Sequence, residues 1–243
     1  MANLVAVDNK NHRTLQIDIR KLALHGAKLN MIPVVLSEFS SAATQYPLAI
    51  TKDGETGEFV CIALLGFETG ENLFWSNGEW QGLYLPLHIR RQPFFVGNPI
   101  THHKVQSDNI DHIVCVDSES PAITSEGGMN LFDERGLDSD YFQQTKACLA
   151  ELLSGEAESK RLIENLQAMD LLQSLSLKIT FKNQTSTRLN GLYTVNKEAL
   201  AKLVDEQILQ LHKLGLLAAI QILSNSLGQV QTLIDLKNNR LEH

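Results

Sequence analysis

The sequence predicts an α+β fold, with a mainly antiparallel sheet in the N-terminal half and helices plus a late hairpin in the C-terminal half. Three observations carry this. Between residues 48 and 117, short runs rich in β-branched and aromatic residues (PLAITKD, EFVCIALLGF, NLFWSN, FFVG, HIVCVD) alternate with turn-forming residues. After Ser139 the apolar residues recur at helical spacing. Among those helices, SLKITFKNQTSTRLNGLYTV reads as a hairpin. Strands and helices do not alternate regularly, which disfavours a doubly wound parallel sheet.

Taken in order, LVAV, LQIDI and MIPVVL are short extended clusters within residues 1–35. Ser37 is placed to cap a helix whose Phe39, Ala42, Ala43 and Tyr46 share one face, and Pro47 stops it. The runs from 48 to 77 read as a meander, with turns at Asp53–Gly57 and Glu68–Glu71 and a further turn signal at Asn77-Gly78. A short helix is expected within 80–93, entered near Pro86 and closed before Pro93. FFVG and HIVCVD follow as strands about the polar loop 98–111, and 118–138 is read as a long irregular segment. Phe142, Thr145, Leu149, Leu152 and Leu153 then form a helical stripe, continued by Leu162, Ile163, Leu166 and Met169. Asn196 is expected to cap a short helix, and Asp205 a longer one containing Ile208, Leu211 and Leu214. Leu216–Leu223 is apolar nearly all round, as in a buried helix, and Leu227, Val230, Leu233 and Ile234 resume an amphipathic period. The stretch Leu214–Leu223 suits either the core or the seam of a homodimer. Whether the late hairpin joins the first sheet stays open, and one domain over 1–240 is expected, with a possible subdivision near 138. Leu241-Glu242-His243 resembles the start of a vector-encoded tag.

Composition narrows the class of function. The 243 residues carry a net charge of −7 with scattered Lys and Arg, so nucleic acid is not expected as a partner. The longest apolar stretch is about half a membrane-spanning helix, and the N-terminus lacks a signal-peptide pattern. A cytoplasmic location is therefore expected, with leaderless export left open. Cys61, Cys115 and Cys148 are widely spaced; two sit in strand-like runs, where a thiol serves as a small hydrophobe.

The motifs that carry chemistry are sparse. There is no phosphate-binding glycine loop and no nucleophile elbow, so no catalytic residue and no cofactor is predicted. His102, His103 and His112 are weak metal candidates, because their spacing fits no strong ligand pattern. Arg90-Arg91 offers a guanidinium fork for a carboxylate or phosphate, or else an internal ion pair with Glu38, Glu71 or Asp117. Glu71-Asn72 sits at a turn after Gly70, and Asp117 ends the strand HIVCVD, where acidic residues line sites or start turns. Trp75, Trp80 and Tyr84 supply either a binding face or core aromatics.

Seven words, in order, go further: EFSSAATQYP (38–47), LLGFETGENLF (64–74), W…YLP…RRQPF (80–94), VDSESP (116–121), NLFDERG (130–136), LNGLYTVNKEAL (189–200) and LHKLGLLAAI (211–220). Together they make the chain resemble the SapC-like family, named from surface-layer gene clusters and distinct from the peptide permease of the same name. The resemblance implies a setting beside TonB-dependent receptors, tryptophan-halogenase-like flavoenzymes and cupin-like oxygenases, with no established activity. It supplies Glu38, Glu71, Asn72, Tyr84, Arg90, Arg91 and Asp117 as polar or aromatic residues expected to gather in one place, to which Trp80 adds a wall. The expected function is a non-catalytic accessory or ligand-binding protein serving uptake or modification of peptides, aromatics or glycans. Its expected partner is a small molecule, a peptide or a protein. An enzyme, metal-dependent through the three histidines, and a surface-layer structural protein are the alternatives.

Overall fold

The structure, a computed structural model, describes residues 3–97 and 113–242. The predicted loop 98–111, with His102 and His103, and the adjoining His112 lie outside the described residues. In chain order, β1 is Leu4–Ala6, β2 Gln16–Ile17, β3 Met31–Pro33, β4 Leu48–Lys52 and β5 Phe59–Leu64. A helical turn α1 spans Phe39–Ala42 between β3 and β4. Then come β6 Trp75–Ser76, β7 Glu79–Trp80, α2 Leu87–Arg90, β8 Phe94–Gly97, β9 Ile113–Asp117, β10 Ile123–Thr124 and β11 Met129–Asn130. The remainder holds α3 Asp140–Ala168, β12 Leu172–Thr180, β13 Ser186–Val195, α4 Lys197–Leu200, α5 Asp205–Lys213, α6 Leu216–Ser226 and α7 Val230–Leu241. An α+β fold is what the sequence patterns predict, and it is what forms.

The chain divides into two compact units, the first made of residues 1–25 and 87–152 and the second of 26–86 and 153–243. In unit 1, β9 is the centre of an antiparallel sheet β1-β9-β8, and β2 is flanked by β10 and β11. The segment 118–138, read from sequence as irregular, therefore supplies two short strands. Its apolar residues Ala122, Leu131 and Phe132 pack with Ile17, Leu22, Phe94, Val116, Phe142 and Leu149 to form the core of this unit. Cys148, buried, donates weakly to the Leu87 carbonyl.

In unit 2, five strands run in the order β12-β13-β4-β5-β3. The late hairpin joins the first sheet: Leu192 pairs with Thr51 and Tyr193 with Ile50, both antiparallel. β4 is buried at Leu48, Ala49 and Ile50 because it is an interior strand covered on both faces. Burial pushes the Cys61 thiol in β5 up to about 12, so it behaves as the small hydrophobe expected. α6 buries Leu216, Ala219, Ile220 and Leu223. It begins after Gly215, whose φ of 71° ends α5 in the left-handed region.

Three local expectations need correction. The turn around Ser37 starts earlier, as a 3-10 turn Leu36–Glu38, and Glu38 closes it by accepting the Val35 N–H at 3.0 Å. A glutamate three residues on reaches back to this orphan donor. Asp205 lies inside α5; the flanking residue is Val204, whose N–H is taken by Gln207 at 3.2 Å. Ile208 is exposed and only Leu211 of α5 is buried. Finally, NLFWSN contributes only β6, which pairs with β7 across Asn77-Gly78, where both residues have positive φ. Among the described residues no helix is long and apolar enough to cross a membrane.

Candidate functional site

The predicted site residues fall in three places. Arg90, Arg91 and Asp117 belong to unit 1, whereas Glu38, Glu71, Asn72, Trp80 and Tyr84 belong to unit 2.

In unit 1 Asp117 ends β9 and its Oδ1 accepts the N–H groups of Asn3 at 3.0 Å and Glu119 at 3.2 Å. The turn that follows is closed by Ser120 N–H donating to the Asp117 carbonyl at 3.1 Å. It presents Ser120 Oγ 3.1 Å from His25 Nε2, while the same oxygen accepts the Ala122 N–H at 3.2 Å. Both bonds are satisfied when Ser120 donates its hydroxyl proton to an unprotonated Nε2, leaving the His25 proton on Nδ1. Burial lowers the His25 pKa, with Asp117 opposing and Arg91 adding to the shift. Among the described residues no carboxylate lies within ion-pair distance of His25, whose side-chain hydrogen bond is to Ser120.

Arg91, just past α2, is anchored by its own segment. Its Nη1 donates to the Phe94 carbonyl at 2.8 Å, and its guanidinium lies 4.2 Å from the Phe95 ring centre. Its Nε points to His88 Nδ1 at 3.4 Å. His88 is pushed down to about 4 by burial and then by Arg91. Arg90 is exposed, so the two arginines do not act as one fork. Together His25, His88, Arg91, Asp117 and Ser120 form a partly buried polar cluster on three separate stretches of chain.

In unit 2 one of the predicted aromatics, Tyr84, is held by Glu38, which is 1% exposed. Its Oε1 accepts the Tyr84 hydroxyl proton at 3.0 Å. Tyr46, fully buried, donates to the Tyr84 carbonyl and accepts the Trp80 indole N–H at 3.1 Å. Burial raises the Tyr46 phenol well above its ordinary range. These bonds clamp residues 80–84 onto the 38–46 turn.

Glu71 and Asn72 stand apart from that clamp. Glu71 Oε2 accepts the Phe67 N–H at 2.9 Å, and its Oε1 meets Lys237 of α7 at 2.6 Å. Lys237 also reaches Glu68 at 3.2 Å. Burial works against the Lys237 charge, but the two carboxylates raise its pKa above the ordinary value. Asn72, 2% exposed, donates to the Gly26 carbonyl at 2.7 Å and accepts the Phe74 N–H at 2.8 Å. The ion partner of Glu71 is thus a lysine from the last helix, which sequence reasoning did not single out.

Open clefts occur elsewhere. One of about 680 Å³ in unit 1 is lined in part by Arg13, Gln16, Asn130 and Asp133. Another of about 530 Å³ in unit 2 lies between α1 and α6. Neither is lined by a predicted site residue. Among the described residues no group of three His, Cys, Asp or Glu side chains is placed to hold a metal ion.

His25, His88 and Ser120 were missed because nothing in their local sequence marks them. Ser120 does lie inside VDSESP, and that word was the available signal. Neither a curated protein nor a solved structure matches the chain. A family model described as SapC matches residues 7–233, most of the chain, and the protein belongs to the SapC family.

Proposed function

We propose that this SapC-family protein is a non-catalytic accessory protein that binds a small polar ligand at the unit 1 cluster. One observation carries the reading: among the described residues no cation lies within ion-pair distance of the Asp117 carboxylate, which shares its electrostatic surroundings with His25 and Arg91. A carboxylate with two backbone N–H groups on one oxygen, and no counter-ion among the described residues, suits a ligand that brings an ammonium or several N–H or O–H donors. Amino acids, short peptides and sugars share that chemistry. The family setting supports a role in uptake or modification of such ligands, beside TonB-dependent receptors and halogenase- or cupin-like enzymes. Of the predicted residues we assign Arg91 and Asp117 to the ligand, and Glu38, Trp80 and Tyr84 to holding the segment 80–84.

A thermal-shift panel of amino acids, short peptides and sugars tests this. A ligand present at about a hundred times its Kd adds roughly 2.7 kcal/mol, a rise of about 5–11 °C in a chain of this size. The rise is expected to vanish in Asp117→Asn and to persist in Glu71→Gln. A rise equally large in both variants removes the site from unit 1.

A further inference from the structure

The hairpin β12–β13 in unit 2 carries a charge pattern that the fold itself does not use. Residues 172–195 contain Lys178, Lys182 and Arg188 and no acidic residue, inside a chain of net charge −7. Lys182 is neutralised by Glu242 at 3.1 Å. Lys178 and Arg188 are directly opposite each other in the antiparallel register, and both are exposed. Among the described residues neither has an ion-pair partner. Like charges set face to face across two strands cost stability, so their retention asks for a reason.

β12 is also an edge strand. It stands at the end of the order β12-β13-β4-β5-β3, and among the described residues no strand pairs with its outer side over Leu172–Thr180. Gln173, Ser174, Ser176, Lys178 and Thr180 are exposed along it. A lysine on an edge guards against aggregation, and that accounts for Lys178. It does not by itself account for a second basic residue directly opposite, Arg188, on the part of β13 beyond Leu192 and Tyr193, where that strand pairs with β4. A strand laid against β12 presents every second side chain to this face, about 4.8 Å from Lys178 and roughly 10 Å from the Arg188 backbone, within the reach of two long side chains.

We infer that the outer edge of β12 is a docking strand for an extended acidic segment of a partner protein, which adds to the sheet and sets its carboxylates against Lys178 and Arg188. Backbone pairing supplies affinity and the alternate acidic side chains supply specificity, as in other cases of strand addition. A second copy of this chain fits less well. Pairing two β12 edges brings two Lys178–Arg188 pairs onto one face between molecules that each carry −7.

Two synthetic peptides test this, one alternating Thr and Glu and one alternating Pro and Glu, each of eight residues, titrated into the full chain with amide shifts followed by NMR. The Thr–Glu peptide is expected to bind, to perturb Leu172–Thr180 and to weaken as salt is raised. Arg188→Glu is expected to weaken it at least about tenfold, with a melting temperature unchanged or higher to show that the fold is intact. The Pro–Glu peptide has the charge without the N–H groups, so equal binding by both peptides means a diffuse ion cloud and overturns strand addition. No binding by the Thr–Glu peptide, or self-association abolished by Lys178→Glu, also overturns the inference.

Discussion

His88 couples the protein's stability to pH through a single side chain. Its folded pKa lies near 4, pushed down by burial and by Arg91. In the unfolded chain it returns to about 6.5. Below that value the unfolded state takes up a proton that the folded state refuses, so stability is full above about pH 6.5 and falls as the pH drops toward 4. His25 is lowered as well, and contributes in the same direction. Urea unfolding at pH 7 and at pH 4.5 is expected to differ by on the order of 2–3 kcal/mol from His88, and His88→Gln is expected to remove most of that difference. A second prediction concerns Lys237, whose side chain is 12% exposed beside a Glu71 that is 14% exposed. Lys237→Met leaves Glu71 enclosed without its cation and is expected to cost roughly 1–3 kcal/mol by chemical denaturation. Arg188→Glu should do the reverse, converting an opposed like-charge pair into an ion pair for a gain of about 0.2–1 kcal/mol. At this scale the sequence marked Glu38, Arg91 and Asp117 as polar residues with work to do. It did not mark His25 or Ser120, which are 95 positions apart and meet only through folding.

Among the elements, α3 shows how packing overrides propensity. Gly155 lies inside this helix, where alanine normally gains about 1 kcal/mol. A Cβ there would stand 2.7 Å from the Val35 side chain, because the chain before Glu38 passes close over the helix. Gly155→Ala is therefore expected to destabilise by roughly 1–3 kcal/mol, opposite in sign to its helix propensity, as read from the unfolding midpoint. The Gly82 position is tighter still, since a Cβ would overlap both the Tyr46 hydroxyl and the Trp80 indole nitrogen. Several elements were legible because period and turn chemistry are local: α3 from its apolar stripe, the hairpin from its alternation, and α4 from Asn196, whose side chain accepts the Ala199 N–H at 3.0 Å. The strands β10 and β11 were not, being two residues each and defined only by β2 between them.

At the scale of the whole chain, the two units interleave in sequence, and unit 2 draws its sheet from residues 31–64 and 172–195. Separate expression of residues 1–138 and 139–243 is expected to yield two fragments without cooperative thermal transitions. The first lacks the β13 partner of β4, and the second lacks the interior strands on which the hairpin rests. A cooperative transition in the first fragment alone would show that β3-β4-β5 need no completion.

What the sequence determined by itself was the α+β class, most of the elements, the buried character of α6 and the SapC kinship, because apolar period, turn residues and family words are written along the chain. Only the tertiary structure decided that the late hairpin completes the early sheet, that Glu71 answers to Lys237, and that Arg91 and Asp117 share a cluster with His25 and Ser120. Those outcomes are set by long-range pairing and by the burial of charge, and neither has a local signature in the sequence.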